Sequence, residues 1–463
     1  MTRHRSAIPN DAGGVVGAAG GLVADTAEDT SADVAVVGGA GQVGGPAVTT
    51  VAGTAANTVA GTAVAGALSR RGLRRVLTVL CVTEVASWGV LYYAFPVLAP
   101  TIGTDTGWSA GAVTGAFSIS QAIAALVGVP VGRLLDRWGP RPVMTAGSVL
   151  AGPAVVVIAT ARSLPWFLVG WGLAGAAMSA VLYQPAFAAL TRWAGPRRVT
   201  ALTGLTLVAG LASTVSAPLT AGLVGGLGWR HTYLVLAAGM VVITVPAHAV
   251  GLAGRWPHPV GGRQHAPSPA DPPGPVARSR AFVLLAAAVS LAAMAVYAAV
   301  IDLVPLLTGR GMSTTAAAWA LGLGGIGQVC GRMGYGRLVA RTSVRVRTTA
   351  VLAGCAVSIA LLAALPGPAG ALIAAAMLVG ATRGVFTLLM ATAVTDRWGT
   401  VHYGRLSGVL SAPRLLATSA APWIGTVLAG ALGGYPAAFA VLAGIGGLAA
   451  VLALHTAPPT RPA

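Results

Sequence analysis

The run Gly132-Arg133-Leu134-Leu135-Asp136-Arg137-Trp138-Gly139-Pro140-Arg141-Pro142-Val143-Met144 stands between two long apolar segments. It carries Arg133, Asp136, Arg137 and Arg141 within nine positions. A charge of this kind at the centre of a membrane-spanning helix costs about 2.5–3.5 kcal/mol. Four of them cannot share the hydrocarbon, so the run marks a membrane surface, and Gly139-Pro140 supplies the chain reversal there.

Composition agrees with that reading. The 463 residues are 55% hydrophobic and 9% charged, against roughly 25% charged for a soluble globular domain. Too few charges remain to cover a water-facing surface, so the chain reads as an integral membrane protein. The net charge of +18 is not a nucleic-acid footprint, because that would gather on one solvated face. Here the basic residues, all of them arginine, fall in short clusters between apolar runs, and no nucleic-acid partner is expected. Cys81, Cys330 and Cys355 lie inside apolar runs without metal spacing, so neither a disulfide framework nor a metal site is expected.

Residues 1–72 form a Gly-, Ala- and Thr-rich tail, expected to be disordered. Its run Val34 to Gly44 contains GxGxxG, but the dinucleotide fingerprint needs a βαβ unit and an acid roughly 20 residues on. No acid stands near Val59, so no cofactor is inferred. From residue 73 the chain becomes a series of apolar runs of about 20 residues, each long enough to cross a bilayer as a helix. Spans are expected near 75–99, 109–132, 142–161, 164–189, 200–224 and 232–253. The Pro-rich linker 254–280 follows, then spans near 281–306, 314–338, 348–366, 369–393, 406–430 and 434–455. The organisation is thus an N-terminal six-helix bundle over 73–253, the linker, a C-terminal bundle over 281–456, and a short tail over 457–463. One face collects the clusters around Arg74, Arg133, Arg197, Arg278, Arg345 and Arg405, and the other only Arg162, Arg230 and Arg310. The positive-inside bias puts both termini and the linker in the cytoplasm of a cell whose plasma or inner membrane holds the protein.

The halves are related. Gly132-Arg133-Leu134-Leu135-Asp136-Arg137 matches Gly336-Arg337-Leu338-Val339-Ala340-Arg341, and Ala217-Pro218 matches Ala421-Pro422, both at an offset of 204. Internal duplication of a six-helix unit around a central loop is a transporter arrangement.

With those features, the opening run resembles the loop between helices 2 and 3 of the major facilitator superfamily. Gly132, Leu134, Asp136, Arg137, Gly139 and Arg141 match its pattern, while Pro140 replaces a usual arginine. The resemblance covers about 73–456 and implies an all-α fold of twelve transmembrane helices in two pseudo-symmetric bundles, working as a single-chain transport unit. Gly107-Trp108-Ser109, Arg197-Arg198, Gly228-Trp229-Arg230 and Arg332 with Gly336 are similar to the monocarboxylate and oxalate–formate branch. Some members of that branch carry Asp where this chain has Gln328. Family resemblance makes Gly132, Asp136, Arg137, Gly139 and Arg141 a conformational gate, with Asp136 holding the cytoplasmic ends of the bundles together when the protein faces outward. Its counterpart Ala340 makes that lock one-sided.

Ionisable groups inside a membrane are costly and commonly functional. Glu84, Trp88 and Tyr92 recur at i, i+4 and i+8 and so share a helix face. Glu84 is placed about ten residues into its span, roughly 15 Å deep. A carboxylate there is a candidate for proton coupling, since desolvation penalises its charged form; the alternative is a structural acid paired with an arginine. Arg332, Arg383 and Arg414 outnumber Glu84 within the spans. A guanidinium binds a carboxylate bidentately, so these arginines, with Tyr92 and Tyr297, are the candidate substrate site. The rival role for Arg332 and Arg414 is snorkelling or bonding to helix-end carbonyls. Gln121, Tyr183 and Gln184 are read as interhelical hydrogen bonders. Asp302 and His231 are expected in solvent, and His248 and His455 at unremarkable span ends.

These residues point to a secondary transporter of a small organic anion, a carboxylate, working by alternating access with protons as the coupling ion. The alternative is drug efflux by proton antiport, through an aromatic pocket of Trp88, Tyr92, Trp171 and Tyr297. No GxxxxGK[ST] motif and no catalytic constellation are present, so neither an ATP-driven pump nor an enzyme is indicated.

Overall fold

Helix signals sit where the apolar runs begin. Serine side chains cap five helix starts: Ser69, Ser109, Ser279, Ser313 and Ser343 each accept a bond from a backbone N–H of the first turn. Ser109 and Ser313 are separated by the repeat offset of 204, so the two halves start their second helices with the same device. The computed structural model describes residues 68–254, 256, 274–399 and 403–456. The GxGxxG run, most of the N-terminal tail, most of the linker and the last seven residues lie outside them.

The described residues form twelve rods. The first half contains α1 (Arg70–Thr106), α2 (Ala110–Trp138), α3 (Pro140–Thr160) and α4 (Leu164–Trp193), then α5 (198–227) and α6 (229–251). Gly228, at φ 68°, breaks one continuous run into α5 and α6. The second half contains α7 (280–308), α8 (Thr314–Arg341), α9 (Val344–Ala364), α10 (Ala369–Thr392), α11 (Tyr403–Ala431) and α12 (Tyr435–Ala453). α1 begins at Arg70, earlier than composition suggests, because Ser69 caps it. Among the described residues nine helices are long and apolar enough to cross a membrane, the α5–α6 run counted once. Apolar side chains also cover the outside: Leu126 is 73% and Val242 72% exposed, a surface suited to lipid and not to water.

The bundles meet along two seams related by the sequence repeat. In one, Thr214 of α5 donates to the carbonyl of Gly322 on α8, at 2.7 Å. In the other, the Trp423 N–H of α11 donates to Ser118 Oγ on α2, at 3.1 Å. Ser118 and Gly322 are equivalent at the same offset of 204. Within the second half, α8 and α10 approach so closely that a Cβ at Gly327, Gly331, Gly380 or Gly384 would collide with the facing backbone.

The opening run lies at the arginine-rich face, as its charges require. Gly139 adopts φ 82°, and its N–H bonds to the Leu135 carbonyl to end α2. Asp136 forms an ion pair with Arg192 of α4 at 2.5 Å, and Arg141 Nε donates to the Ala249 carbonyl of α6. Arg137 stands 5.9 Å from the Trp138 ring, and Gly132 has open space around its Cα. In this conformation, among the described residues, Asp136 pairs within its own bundle. Ala340 leaves the second half without that acid, but Arg347 at the start of α9 pairs at 2.5 Å with Asp396 in the short turn Thr395–Trp398 that follows α10. Asp396 stands where Arg192 stands, offset by 204. Each half thus carries an equivalent ion pair inside its own bundle, with the charges exchanged.

Two expectations at span ends fail. Asp302 is 1% exposed and His248 is fully buried. Neighbouring helices cover both: α11 packs over Asp302, and Ser148 of α3 shares a 2.8 Å bond with His248 Nδ1.

Candidate functional site

The centre of the molecule gathers polar side chains from both bundles. α1 contributes Glu84, which is fully buried. The observed helix start places Glu84 14 residues in, about 21 Å at 1.5 Å per residue, one turn short of the middle of a 37-residue rod. Trp88 Nε1 donates to Glu84 Oε2 at 2.8 Å, and Oε1 has no partner. None of the three ion pairs among the described residues involves Glu84, so its pairing with an arginine is not found there. The Trp88 ring packs on Tyr92 at 5.2 Å and on Tyr183 of α4 at 5.0 Å.

α1 is not a regular helix here. Residues Gly89–Tyr93 form a π-turn, which inserts an extra residue and rotates the remainder of the helix. The i, i+4, i+8 pattern places Tyr92 on the site face; the π-turn brings Tyr93 there as well. The Tyr93 hydroxyl accepts a 2.7 Å bond from Arg383 Nη2 of α10. Spacing alone does not single out Tyr93, since an ideal helix would turn it away.

Arg383 is the pivot of the second bundle's contribution. It is 5% exposed, and the same Nη2 donates to Gln328 Oε1 of α8 at 2.5 Å. The close glycine seam between α8 and α10 makes that contact possible. Tyr92 and Tyr297 also lie within its electrostatic reach. Its partners are neutral, and its Nε has none. A buried guanidinium without a carboxylate is an uncompensated positive charge.

Arg332, 6% exposed, crosses the bundle interface and donates Nη1 to the Thr206 carbonyl of α5. α5 is interrupted at Gly210, so Thr206 ends its first segment, and a cation suits that negative helix end. Of the two roles open to Arg332, the structure displays the helix-end contact. α8 continues to Arg341, so Arg332 lies about two and a half turns from that end, deeper than the sequence suggests. Tyr183 of α4 joins the Glu84 side of the cluster through its ring contact with Trp88 and stacks on Phe187 at 5.0 Å.

Arg414 and Tyr297 face a space next to this cluster. With Phe386, Thr387, Met390 and Ser411 they line a cavity of about 240 Å³. Thr387 is one turn beyond Arg383 on α10 and donates to its carbonyl, so this cavity adjoins the central cluster. Trp171 does not join it. That ring is 1% exposed and packs edge-on to Phe95 and Phe117 inside the first bundle. The expected aromatic pocket is therefore dispersed: Phe117 separates Trp171 from Tyr92. Gln121 bonds to Ser120 and to Met178 of α4, in the interhelical role expected of it.

A family model described as Major Facilitator Superfamily matches residues 80–371. The chain belongs to that superfamily. Among its relatives, Monocarboxylate transporter 11 of Mus musculus is 32% identical over 243 residues, 50% of each chain. Monocarboxylate transporter 13 of Rattus norvegicus is 30% identical over 154 residues, 33% of this chain and 34% of its own. The matches to these curated relatives thus span half of their length or less. Among solved structures, a bacterial homologue of the human lysosomal transporter Spinster, in an inward-facing and unoccupied conformation, superposes with a TM-score of 0.63. It is 14% identical and covers 84% of this chain and 96% of its own, a likeness of fold. The superfamily assignment accords with an all-α, multi-pass membrane protein.

Proposed function

We propose that this chain is a secondary transporter that moves a small organic anion bearing a carboxylate, by alternating access and with protons as the coupling ion. Arg383 carries the reading. It is a buried cation at the junction of both bundles, and the described residues give it a hydroxyl and an amide but no acid. Where some members of the branch place Asp, Gln328 leaves the charge of Arg383 available to an incoming anion. A carboxylate accepting from Arg383 would gain charge-assisted bonds and relieve the uncompensated charge. The similarity to monocarboxylate transporters supports the same cargo class.

Glu84 supplies the proton site. One of its oxygens has no partner, and the Trp88 indole that holds the other packs on the Tyr183 ring at 5.0 Å. Proton uptake there would offset the charge brought by the anion. The seams at Ser118–Trp423 and Thr214–Gly322 close the arginine-poor half, while Arg414 lines space on the arginine-rich side. This is one extreme of a rocking motion in which Asp136, Arg137 and Arg141 retime their contacts. The arginine bias makes the rich face cytoplasmic, in a plasma or inner membrane. Ligand-induced stabilisation tests the site, because a ligand that binds only the folded chain raises its unfolding temperature. Short monocarboxylates should raise it for the purified full chain and their amide isosteres should not. Equal shifts with both, or none with either, would overturn the reading.

A further inference from the structure

Asp302 has no part in the central cluster, yet it is the more unusual acid. It ends the first segment of α7 at the arginine-poor side and is 1% exposed. Thr426 Oγ1 of α11 donates to its Oδ1 at 2.9 Å. Its Oδ2 is buried and has no partner. That oxygen lies against Gly425, where any Cβ would overlap it, so the absence of a side chain at 425 makes room for the carboxylate. None of the ion pairs among the described residues includes Asp302. The other titratable group facing it is Tyr435, at the start of α12.

The position matters as much as the burial. Asp302 lines a cavity of about 500 Å³ whose walls come from both halves: Phe95, Ala99 and Val113 on one side, Pro305 and Tyr435 on the other. Asp302 is the one carboxylate among the described residues lining that cavity, with the Tyr435 phenol across from it. The cavity lies where the bundles would part for α1 and α2 to leave α7. Closed, this interface holds a carboxylate with one hydrogen bond and no counter-charge, an arrangement that disfavours ionisation. Opened, it would admit water to both oxygens.

We infer that Asp302 is a second proton-binding site, loaded when the arginine-poor ends of the bundles close and emptied when they part. Closure and proton uptake are then linked: protonation favours the closed interface, and raising the pH favours opening. The chemistry is a simple transfer, in which water at the arginine-poor side gives a proton to Asp302 Oδ2 on closing and regains it on opening. This inference rests on the alternating-access part of the proposed function but not on the cargo.

The test uses the full chain in lipid nanodiscs, with its three cysteines replaced by alanine and spin labels at the exposed positions Thr104 and Thr315. Wild type should show the closed distance at low pH and a growing longer-distance population as pH rises. Asp302→Asn should abolish that pH response. Thr426→Val removes the donor to Oδ1 and should raise the midpoint by about one pH unit, which keeps the test open if Asp302→Asn fails to fold. An unchanged response in Asp302→Asn, an unmoved midpoint in Thr426→Val, or a wild-type door indifferent to pH would overturn the inference. A pH-responsive door in a protein that binds no carboxylate would sink the cargo reading alone.

Discussion

Replacing Arg383 by glutamine removes the central positive charge while leaving a side chain able to bond to Tyr93 and Gln328. The native guanidinium holds both partners through Nη2, at 2.7 and 2.5 Å, and is 5% exposed. Any carboxylate bound there would share a desolvated site with it. Truncating one member of a buried, hydrogen-bonded charge pair costs about 2–5 kcal/mol. At about 1.4 kcal/mol per decade, affinity should fall by between one and a half and three and a half decades. The assay is concentration-dependent counterflow of a labelled monocarboxylate in proteoliposomes, which needs no proton gradient and so isolates the anion site. Arg383→Lys keeps the charge but loses the planar fork, and should fall between wild type and Arg383→Gln. Half-saturation in Arg383→Gln within about threefold of wild type, far short of the range set by the cost of truncation, would refute the argument that this arginine carries the anion.

Three further perturbations separate the parts of the mechanism. Gln328→Asp gives Arg383 an internal carboxylate in place of the present amide contact at 2.5 Å, so half-saturation for monocarboxylates should rise by about tenfold or more; unchanged half-saturation would contradict the idea that a neutral partner keeps the arginine available. Glu84→Gln should keep counterflow but lose accumulation driven by a proton gradient, measured as uptake with and without an imposed pH difference. Asp136→Asn removes an exposed ion pair to Arg192 worth about 0–1 kcal/mol. It should therefore leave the unfolding temperature nearly unchanged and slow turnover without weakening half-saturation; a pure affinity loss would argue against a gating role.

The helical architecture is legible in the sequence because the bilayer imposes it. Charges are costly in hydrocarbon, so the clusters at Arg133–Arg141, Arg197–Arg198 and Arg337–Arg347 mark helix ends directly, and the repeat at 204 residues relates the seams made by Ser118 and Gly322. Arg383 and Glu84 stand out for the same reason. Legibility ends where tertiary packing or a local irregularity takes over. The π-turn at Gly89–Tyr93 shifts the helical register and recruits Tyr93, which no regular period reveals. Asp302 and His248 look solvated in the sequence because they lie near span ends; only the helices packed over them make them buried. The Arg347–Asp396 pair serves the purpose of Asp136–Arg192 with the charges exchanged, so matching identities between the halves hides it. Trp256, just inside the linker, also gives no sequence signal, yet it donates to the Asp136 carbonyl and lies under the Arg192 guanidinium at 4.6 Å.

The central claim is that a carboxylate and a proton cross this protein together. The direct measurement is uptake of labelled monocarboxylates into proteoliposomes containing the full-length chain, with an imposed pH difference and the membrane potential clamped. Accumulation should follow the proton gradient, reverse when the gradient is reversed, and vanish when a protonophore dissipates it. Carboxylate flux indifferent to the gradient would remove the proton from the account. No carboxylate flux at all, from protein that is folded and membrane-inserted, would contradict the account at its centre.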